Sequence, residues 1–366
     1  RSIESEARMA DTRRPKATGK TAKQNGESAE VLRGYYEQMV LVREFELRAS
    51  EMYARAKIGG YCHLNLGEEA TVVGLMAALK STDYLYMGYR DHGYALTRGM
   101  GPGPVMAELF GKSTGVVGGY GGSMHMFDLP LRTMGGYGIV GGQIPLATGA
   151  AFAINYRSKA GKNAEAVMCL LGDATTNIGA FHESLNLAGL WKLPIVYVIV
   201  NNRLGMGTPV ELASAEPDLY KRGCAYRIPG ERVDGDDPVV VRDAALAALE
   251  RARVDRQPMI LETMSYRLKG HSVVDPARYR SKEDTEEAQE NDPVPAFRHR
   301  LMTAGALDEK TADHIHEAAV KTVDEAVEFA DSSPDPSPED MFGRVYATPV
   351  PNTPHAFPGD PVMAAS

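Results

Sequence analysis

"LLGDATTNIGAFHESLNLAGLWKLPIVYVIVNNRLGMGT" runs from Leu170 to Thr208. It starts at the end of one apolar run, "AEAVMCLL" (Ala164–Leu171), and ends past a second, "LPIVYVIV" (Leu193–Val200). Between them lies "GAFHESLNLAGLWK" (Gly179–Lys192), with apolar residues at helical spacing. Short apolar runs on either side of an amphipathic helix read as strand, helix, strand, with both strands buried on both faces. Later "ALAALERARVDRQPMILETMSY" (Ala245–Tyr266) gives another helix and another strand. Such alternation predicts an α/β fold: a parallel sheet flanked by helices on both faces. Right-handed connections bring successive strand ends to one edge, where open α/β sheets bind ligands. Asp173 follows the first strand and Asn202 the next, 29 positions on. A carboxylate and an amide are oxygen donors of the kind Mg²⁺ takes beside phosphate oxygens. Backbone N–H groups of Gly172, Ala174 and Thr175 would lie near a helix start, which favours an anion. A helix cap and a turn residue would give the same spacing.

Working outward, "VLRGYYEQMVLVREFELRASEMYARAKI" (Val31–Ile58) predicts a long amphipathic helix, and "GEEATVVGLMAALK" (Gly67–Lys80) a second. Glycine is dense from Gly99 to Gly149, with apolar residues too regularly interleaved for a linker. Val294–Ala330 reads as charged helix. Residues 1–30 are polar and nearly free of large apolar side chains, so they are expected to form a disordered arm. Residues 31–345 form the α/β domain, and 346–366 a proline-rich tail. The segment from Leu268 to Pro293 is charged and poor in large apolar residues, so it is expected to be a mobile loop that a bound anion would order.

The chain has 366 residues, 43% hydrophobic and 24% charged, with net charge −8. That balance gives nucleic acid no electrostatic footing. Three scattered cysteines, Cys62, Cys169 and Cys224, argue against a disulfide framework and for a reducing, cytoplasmic setting. No apolar run approaches the ~20 residues that span a bilayer, so no membrane partner is expected.

The opening stretch resembles the thiamine-diphosphate motif, Gly-Asp-Gly followed about thirty residues later by Asn-Asn. "GGYCHLNLGEEA", "YRDHGYALTRGM", "GGYGGSMHMFD", "GYGIVGGQIPLATGAA" and "YRLKGHSVVDPARYRS" extend the resemblance over about Val31–Val345. Together they are similar to the α subunit of the E1 component of two-chain 2-oxoacid dehydrogenases. The resemblance implies thiamine diphosphate and Mg²⁺ as cofactors, with Asp173, Asn202 and the carbonyl of Leu204 as metal ligands. It places Gly172, Ala174 and Thr175 beside the cofactor. It places Tyr89 and Arg90 on the diphosphate, where a guanidinium suits two phosphate oxygens. It also implies that backbone at Gly138 and Val140 holds the aminopyrimidine, that His63 lies near the substrate, and that His271 lies beside the diphosphate. His92 is a third candidate, catalytic or loop-positioning. The other histidines, His125 and His182 among them, read as structural.

The implied reaction is oxidative decarboxylation of a small 2-oxoacid with acyl transfer to a lipoyl group. "GGYCHL" favours pyruvate over branched-chain 2-oxoacids or acetoin. The implied partners are an E1 β subunit, which supplies the activating glutamate of an α₂β₂ heterotetramer, and a lipoyl-bearing E2 acyltransferase. Three departures stand out: Ala174 for the motif's second glycine, Leu204 for a tyrosine, and Lys269 for a histidine. A non-catalytic subunit would explain the first. Other chemistries fail: "FGKST" has Met106 where a P-loop needs glycine, "GGSMH" lacks the second glycine of a nucleophile elbow, and no Gly-x-Gly-x-x-Gly opens a first strand–helix turn.

Overall fold

In a computed structural model of the chain, residues 27–161 and 163–340 are described. Helices α1 (Ala29–Ala54) and α2 (Glu69–Ala78) lead into a short strand, β1 (Tyr84–Tyr86). Helices α3 (His92–Arg98), α4 (Pro102–Leu109) and α5 (Gln143–Arg157) follow. Next come β2 (Val167–Gly172), α6 (Gly179–Trp191) and β3 (Ile195–Asn201). A tight hairpin of β4 (Leu204–Gly205) and β5 (Thr208–Pro209) precedes the short α7 (Val210–Ala213). The chain continues through β6 (Gly230–Asp234), α8 (Pro238–Val254), β7 (Met259–Met264), α9 (Lys282–Glu290), α10 (Pro293–Thr303) and α11 (Glu309–Ser332).

Five strands form one sheet in the order β1-β2-β3-β7-β6, every pair parallel. The registers Leu170↔Val198↔Leu261 align the three central strands, so their carboxyl ends reach the same edge. Alternation along the strands builds two cores. Met168, Leu170, Val196 and Val198 face α2 and α8 through Val72, Leu75, Val241 and Leu249. Val167, Cys169, Ile195 and Tyr197 face α5 and α6 through Ile144, Ala151, Phe181 and Leu185. Helix α1 lies outside the first layer and joins α4 and α11 through Phe45, Met106 and Val323. Arg43 of α1 reaches Glu69 at 2.5 Å and Asp292 at 2.8 Å, tying α1 to the starts of α2 and α10.

The expected arm is shorter at its described end. Ser28 accepts the N–H of Val31, so α1 begins at Ala29, inside the segment expected to be irregular. The expected tail, 346–366, lies outside the described residues. Two edge strands, β1 and β6, have too few residues to show a period. The segment 268–293 contains a helix, α9, that its low apolar content did not announce. Ser281 and Asp284 form a capping box there, and Lys282 pairs with Glu286 at 3.4 Å.

Asp83 sits fully buried before β1, where its carboxylate accepts the N–H of Ala166 at 3.0 Å and of Lys80 at 2.8 Å and pairs with buried Arg253 of α8. Removing one member of such a pair leaves an uncompensated charge in the core. Arg253→Met is therefore expected to cost about 3–5 kcal/mol in denaturant titration. Arg251→Met, on the exposed side of the same helix, should change stability by less than about 0.5 kcal/mol.

Candidate active site

Four of the parallel strands deliver functional groups to one edge. β1 runs into Tyr89 and Arg90, β2 into Asp173, β3 into Asn202, and β7 into Arg267 and His271. The two asparagines at the end of β3 divide the work. Asn201 is structural: its Nδ2 donates to Glu262 at 2.6 Å and its Oδ1 accepts the N–H of Arg203 at 2.8 Å. Asn202 is turned the other way, with Nδ2 on Glu68 at 3.0 Å and Oδ1 near the N–H of Leu204 at 3.4 Å. The turn that carries it is strained. Arg203 and Met206 adopt φ of 68° and 56°, left-handed values unusual without glycine. Arg203 lies over the ring of Tyr266, 5.0 Å from its centroid, and donates to its hydroxyl at 3.2 Å, which holds the turn.

Above this edge three rings cluster. His63, from the loop before α2, lies 4.5 Å from Tyr89 and 5.1 Å from His271 between centroids, and Tyr89 lies 5.7 Å from His271. The Nδ1 atoms of His63 and His271 are buried without a hydrogen-bond partner. Arg90 donates to the carbonyls of Leu64 and His271, the latter at 3.0 Å. Arg267, almost wholly buried, donates to the carbonyls of Met206 at 3.0 Å and Lys269 at 3.2 Å, and to the Tyr279 hydroxyl at 2.9 Å; the Leu204 carbonyl is 3.5 Å away. Tyr279 in turn donates to Asp275 at 2.6 Å, and Asp275 accepts the N–H of His271 at 2.6 Å. The loop after β7 is thus pinned over the strand ends.

Electrostatics follow from this crowding. Burial, then Arg90 and His271, push His63 down to about 3. Burial, then Arg90 and Arg267, push His271 down to about 4 against the pull of Asp275. Burial raises Asp173 to about 6, a group that would shed its proton on meeting a cation. Two neutral imidazoles and two guanidinium groups thus share this sheltered space with the carboxylates of Asp173, Glu68 and Asp275.

The loop expected to hold the aminopyrimidine lies alongside. His125, expected to be structural, donates from Nδ1 to Gly121 O at 3.2 Å and accepts the Gly138 N–H on Nε2 at 3.3 Å, which fixes its tautomer. Gly141 has φ of 78°, and a β-carbon there would fall 1.9 Å from Ile178 and 3.3 Å from Thr175. The Gly138–Val140 backbone is thereby pressed toward the turn after β2. That turn differs from expectation: residues 173–177 form a tight 3₁₀ turn, and α6 starts only at Gly179. The N–H groups of Ala174 and Thr175 belong to that turn and not to the first turn of the helix. His92 is also placed differently from His63 and His271. It is fully buried, with Nδ1 on Glu46 at 2.9 Å and Nε2 on Ser123 at 2.8 Å, so it builds the wall behind His63.

Sequence patterns match this site. The profile described as "Dehydrogenase E1 component" spans residues 37–339. The chain belongs to the dehydrogenase E1 component family. It is 44% identical over 308 residues to the pyruvate dehydrogenase E1 component subunit alpha of Rhizobium meliloti, covering 84% of this chain and 87% of that one. It is 42% identical over 318 residues to the subunit of the same name from Zymomonas mobilis, covering 86% and 88%. To the chloroplastic pyruvate dehydrogenase E1 component subunit alpha-3 of rice it is 41% identical over 319 residues, covering 86% and 75%.

Sequence reading of this E1 chain missed Arg267, Glu68 and Asp275. Arg267 obeys the logic that found Asp173 and Asn202, a polar residue just past a buried strand. Glu68 was hidden in a helix start, where an acidic residue needs no special reason.

The Ala174 departure is absorbed locally. Ala174 is not among the described left-handed non-glycine residues, so its methyl costs the backbone nothing. It does constrain its neighbour: a β-carbon on Gly205 would come 2.7 Å from that methyl, while its next contacts are ordinary at 3.8 Å and 3.9 Å. Gly205→Ala is expected to cost about 1–3 kcal/mol by thermal unfolding. In an Ala174→Gly background the same substitution should be nearly neutral, and equal costs in both backgrounds would show that the contact is not the cause.

Because His63 is held neutral, the unfolded chain binds a proton between pH 6.5 and the folded value of about 3 that the native chain refuses. Its contribution is complete above pH 6.5 and declines as pH falls. His63→Asn removes this dependence. The stability difference between wild type and His63→Asn should therefore shift toward the variant by at most ~1.4 kcal/mol per pH unit on acidification below 6.5.

Proposed function

We propose that this chain is the α subunit of a pyruvate dehydrogenase E1, acting with a β subunit in thiamine-diphosphate-dependent decarboxylation of pyruvate and transfer of the acyl group to a lipoyl arm. The observation that carries the reading is the meeting of Asp173 and Asn202, from adjacent strand ends, with Arg90, Arg267 and two histidines whose buried Nδ1 atoms lack partners. The donor set fits the cofactor pair. No group of three or more His, Cys, Asp or Glu that could hold a metal exists among the described residues. A carboxylate, an amide oxygen and a backbone carbonyl are instead what Mg²⁺ takes when phosphates complete its coordination.

Thiamine diphosphate, when bound, supplies the electron sink for loss of CO₂. Asp173, Asn202 and the Leu204 carbonyl would hold the metal, and Tyr89, Arg90 and His271 the diphosphate. Gly172, Ala174 and Thr175 line that end, with Gly138 and Val140 along the ring. His63 keeps a neutral imidazole near the substrate at neutral pH, able to donate a hydrogen bond from one ring nitrogen and accept one at the other. The Arg267–Tyr279–Asp275 bracing keeps the His271 loop over the site and limits water. Ala174 leaves the backbone path intact, which favours an active subunit over a scaffold.

A partner also suits the surface. Leu146, Phe152 and Tyr156 of α5 and Leu190 and Trp191 of α6 are exposed, with Phe152 and Trp191 rings 5.1 Å apart. A grouped apolar surface of this kind marks a subunit interface. The family implies an E1 β subunit; we assign the α₂β₂ form and docking to a lipoyl-bearing E2 as part of the same reading. No described helix is long and apolar enough to cross a membrane. All three cysteines are free, which supports a reducing compartment such as the cytoplasm.

The test is co-expression with a β subunit. The complex should turn over pyruvate in preference to 3-methyl-2-oxobutanoate and acetoin, and the purified α chain alone should be inactive. Asp173→Ala and Asn202→Ala should each abolish Mg²⁺-dependent thiamine diphosphate binding in calorimetry while leaving the complex folded. Undiminished affinity in both variants would overturn the metal assignment.

A further inference from the structure

Glu68 occupies the N-cap position of α2, only 2% exposed, yet its side chain caps no helix N–H. Its oxygens are spent elsewhere. Oε1 accepts from Asn202 Nδ2 at 3.0 Å, and Oε2 accepts from Asn65 Nδ2 at 3.2 Å, with Arg90 Nε 3.8 Å away. Asn65 is itself fixed: its Oδ1 accepts the Gly93 N–H at 3.0 Å and its own N–H donates to buried Glu46 at 3.0 Å. The chain Glu46–Asn65–Glu68–Asn202 therefore runs from α1 to the end of β3 without a break.

The chemistry of an amide makes this arrangement consequential. The two ends of Asn202 are nearly the same shape, but only the oxygen can ligate a cation. A carboxylate accepts and does not donate, so Glu68 favours the orientation with Nδ2 toward it and disfavours the flip that would set oxygen against oxygen. We infer that Glu68 is the positioning residue that fixes the Asn202 amide with Oδ1 turned toward Mg²⁺, and that Asn65 fixes Glu68. This rests on the reading of Asn202 as a metal ligand. It assigns the first of the two acidic residues in "GEEA" to the metal edge, whereas the second, Glu69, serves the fold by pairing with Arg43.

The direction of the hydrogen bonds gives a test that a purely structural role would not pass. In Glu68→Ala the amide loses its guide. In the double variant Asn65→Asp/Glu68→Gln the polarity is exchanged. Asp at 65 can accept from both Gly93 N–H and the new glutamine amide, and the glutamine oxygen can accept from Asn202. Net charge is unchanged; Arg90 Nε loses the carboxylate oxygen 3.8 Å away but Arg90 keeps its bonds to the Leu64 and His271 carbonyls. Mg²⁺ would be titrated calorimetrically into the co-purified α/β complex at saturating thiamine diphosphate, with thermal unfolding as the check on folding. Glu68→Ala should weaken Mg²⁺ binding by about tenfold or more, the scale on which groups orienting a metal ligand act. The exchanged pair should return to within about threefold of wild type, on the same reasoning. Mg²⁺ affinity for Glu68→Ala equal to wild type, with Asp173→Ala still defective, would overturn the inference and leave the metal site standing. So would an exchanged pair as weak as Glu68→Ala. Wild-type affinity in Asp173→Ala as well would overturn the metal reading and this inference with it.

Discussion

The parallel pairing of β2 with β3 is the constraint on which the molecule depends. Both strands are covered on both faces, so along their length they accept almost nothing but apolar side chains. Polar chemistry is expelled to the ends, and parallel direction makes those ends coincide. Asp173 and Asn202 meet because the strands that carry them cannot host them elsewhere. Tyr89 and Arg90 after β1, and Arg267 and His271 after β7, arrive by the same geometry from either side.

Around that edge the protein buries many polar groups, and several of them share one carboxylate. Glu46 serves both His92 and Asn65. Glu108 of α4 accepts the N–H groups of Val117, Gly119, Gly121 and Gly122, at 2.7–3.0 Å, which gathers the glycine-rich loop and sets Ser123 against His92. A loop with so many glycines loses much entropy on ordering, and one carboxylate taking four donors offsets part of that loss. Two of the unpartnered buried atoms, His63 Nδ1 and His271 Nδ1, stand where a ligand would be.

Much of this was legible in the sequence. Central strands show as short continuous apolar runs and long helices as helical periodicity; Asp173 and Asn202 stand out by position, whereas Tyr89, Arg90, His63 and His271 are named through the family resemblance. Less legible was everything decided by tertiary contact. β1 and β6 are too short to show a period, and α9 rests on a capping box and one exposed charge pair. His92, expected to be catalytic or loop-positioning because it adjoins Arg90, is turned into the core by the first turn of α3, where it holds Ser123 of the glycine-rich loop. Glu68 and Arg267 have ordinary reasons to occur where they do, and only the fold reveals what they touch.

The contact between Ala174 and Gly205 has a consequence for how this site can change over time. The two positions belong to different segments, the turn after β2 and the hairpin strand β4, yet both cannot carry a methyl without a shift of the backbone. A lineage holding alanine at the first takes a side chain at the second only at a cost in stability, unless the first becomes glycine. The order of substitutions matters, and a relative that differs at both positions must have passed through the double glycine or through a disturbed turn.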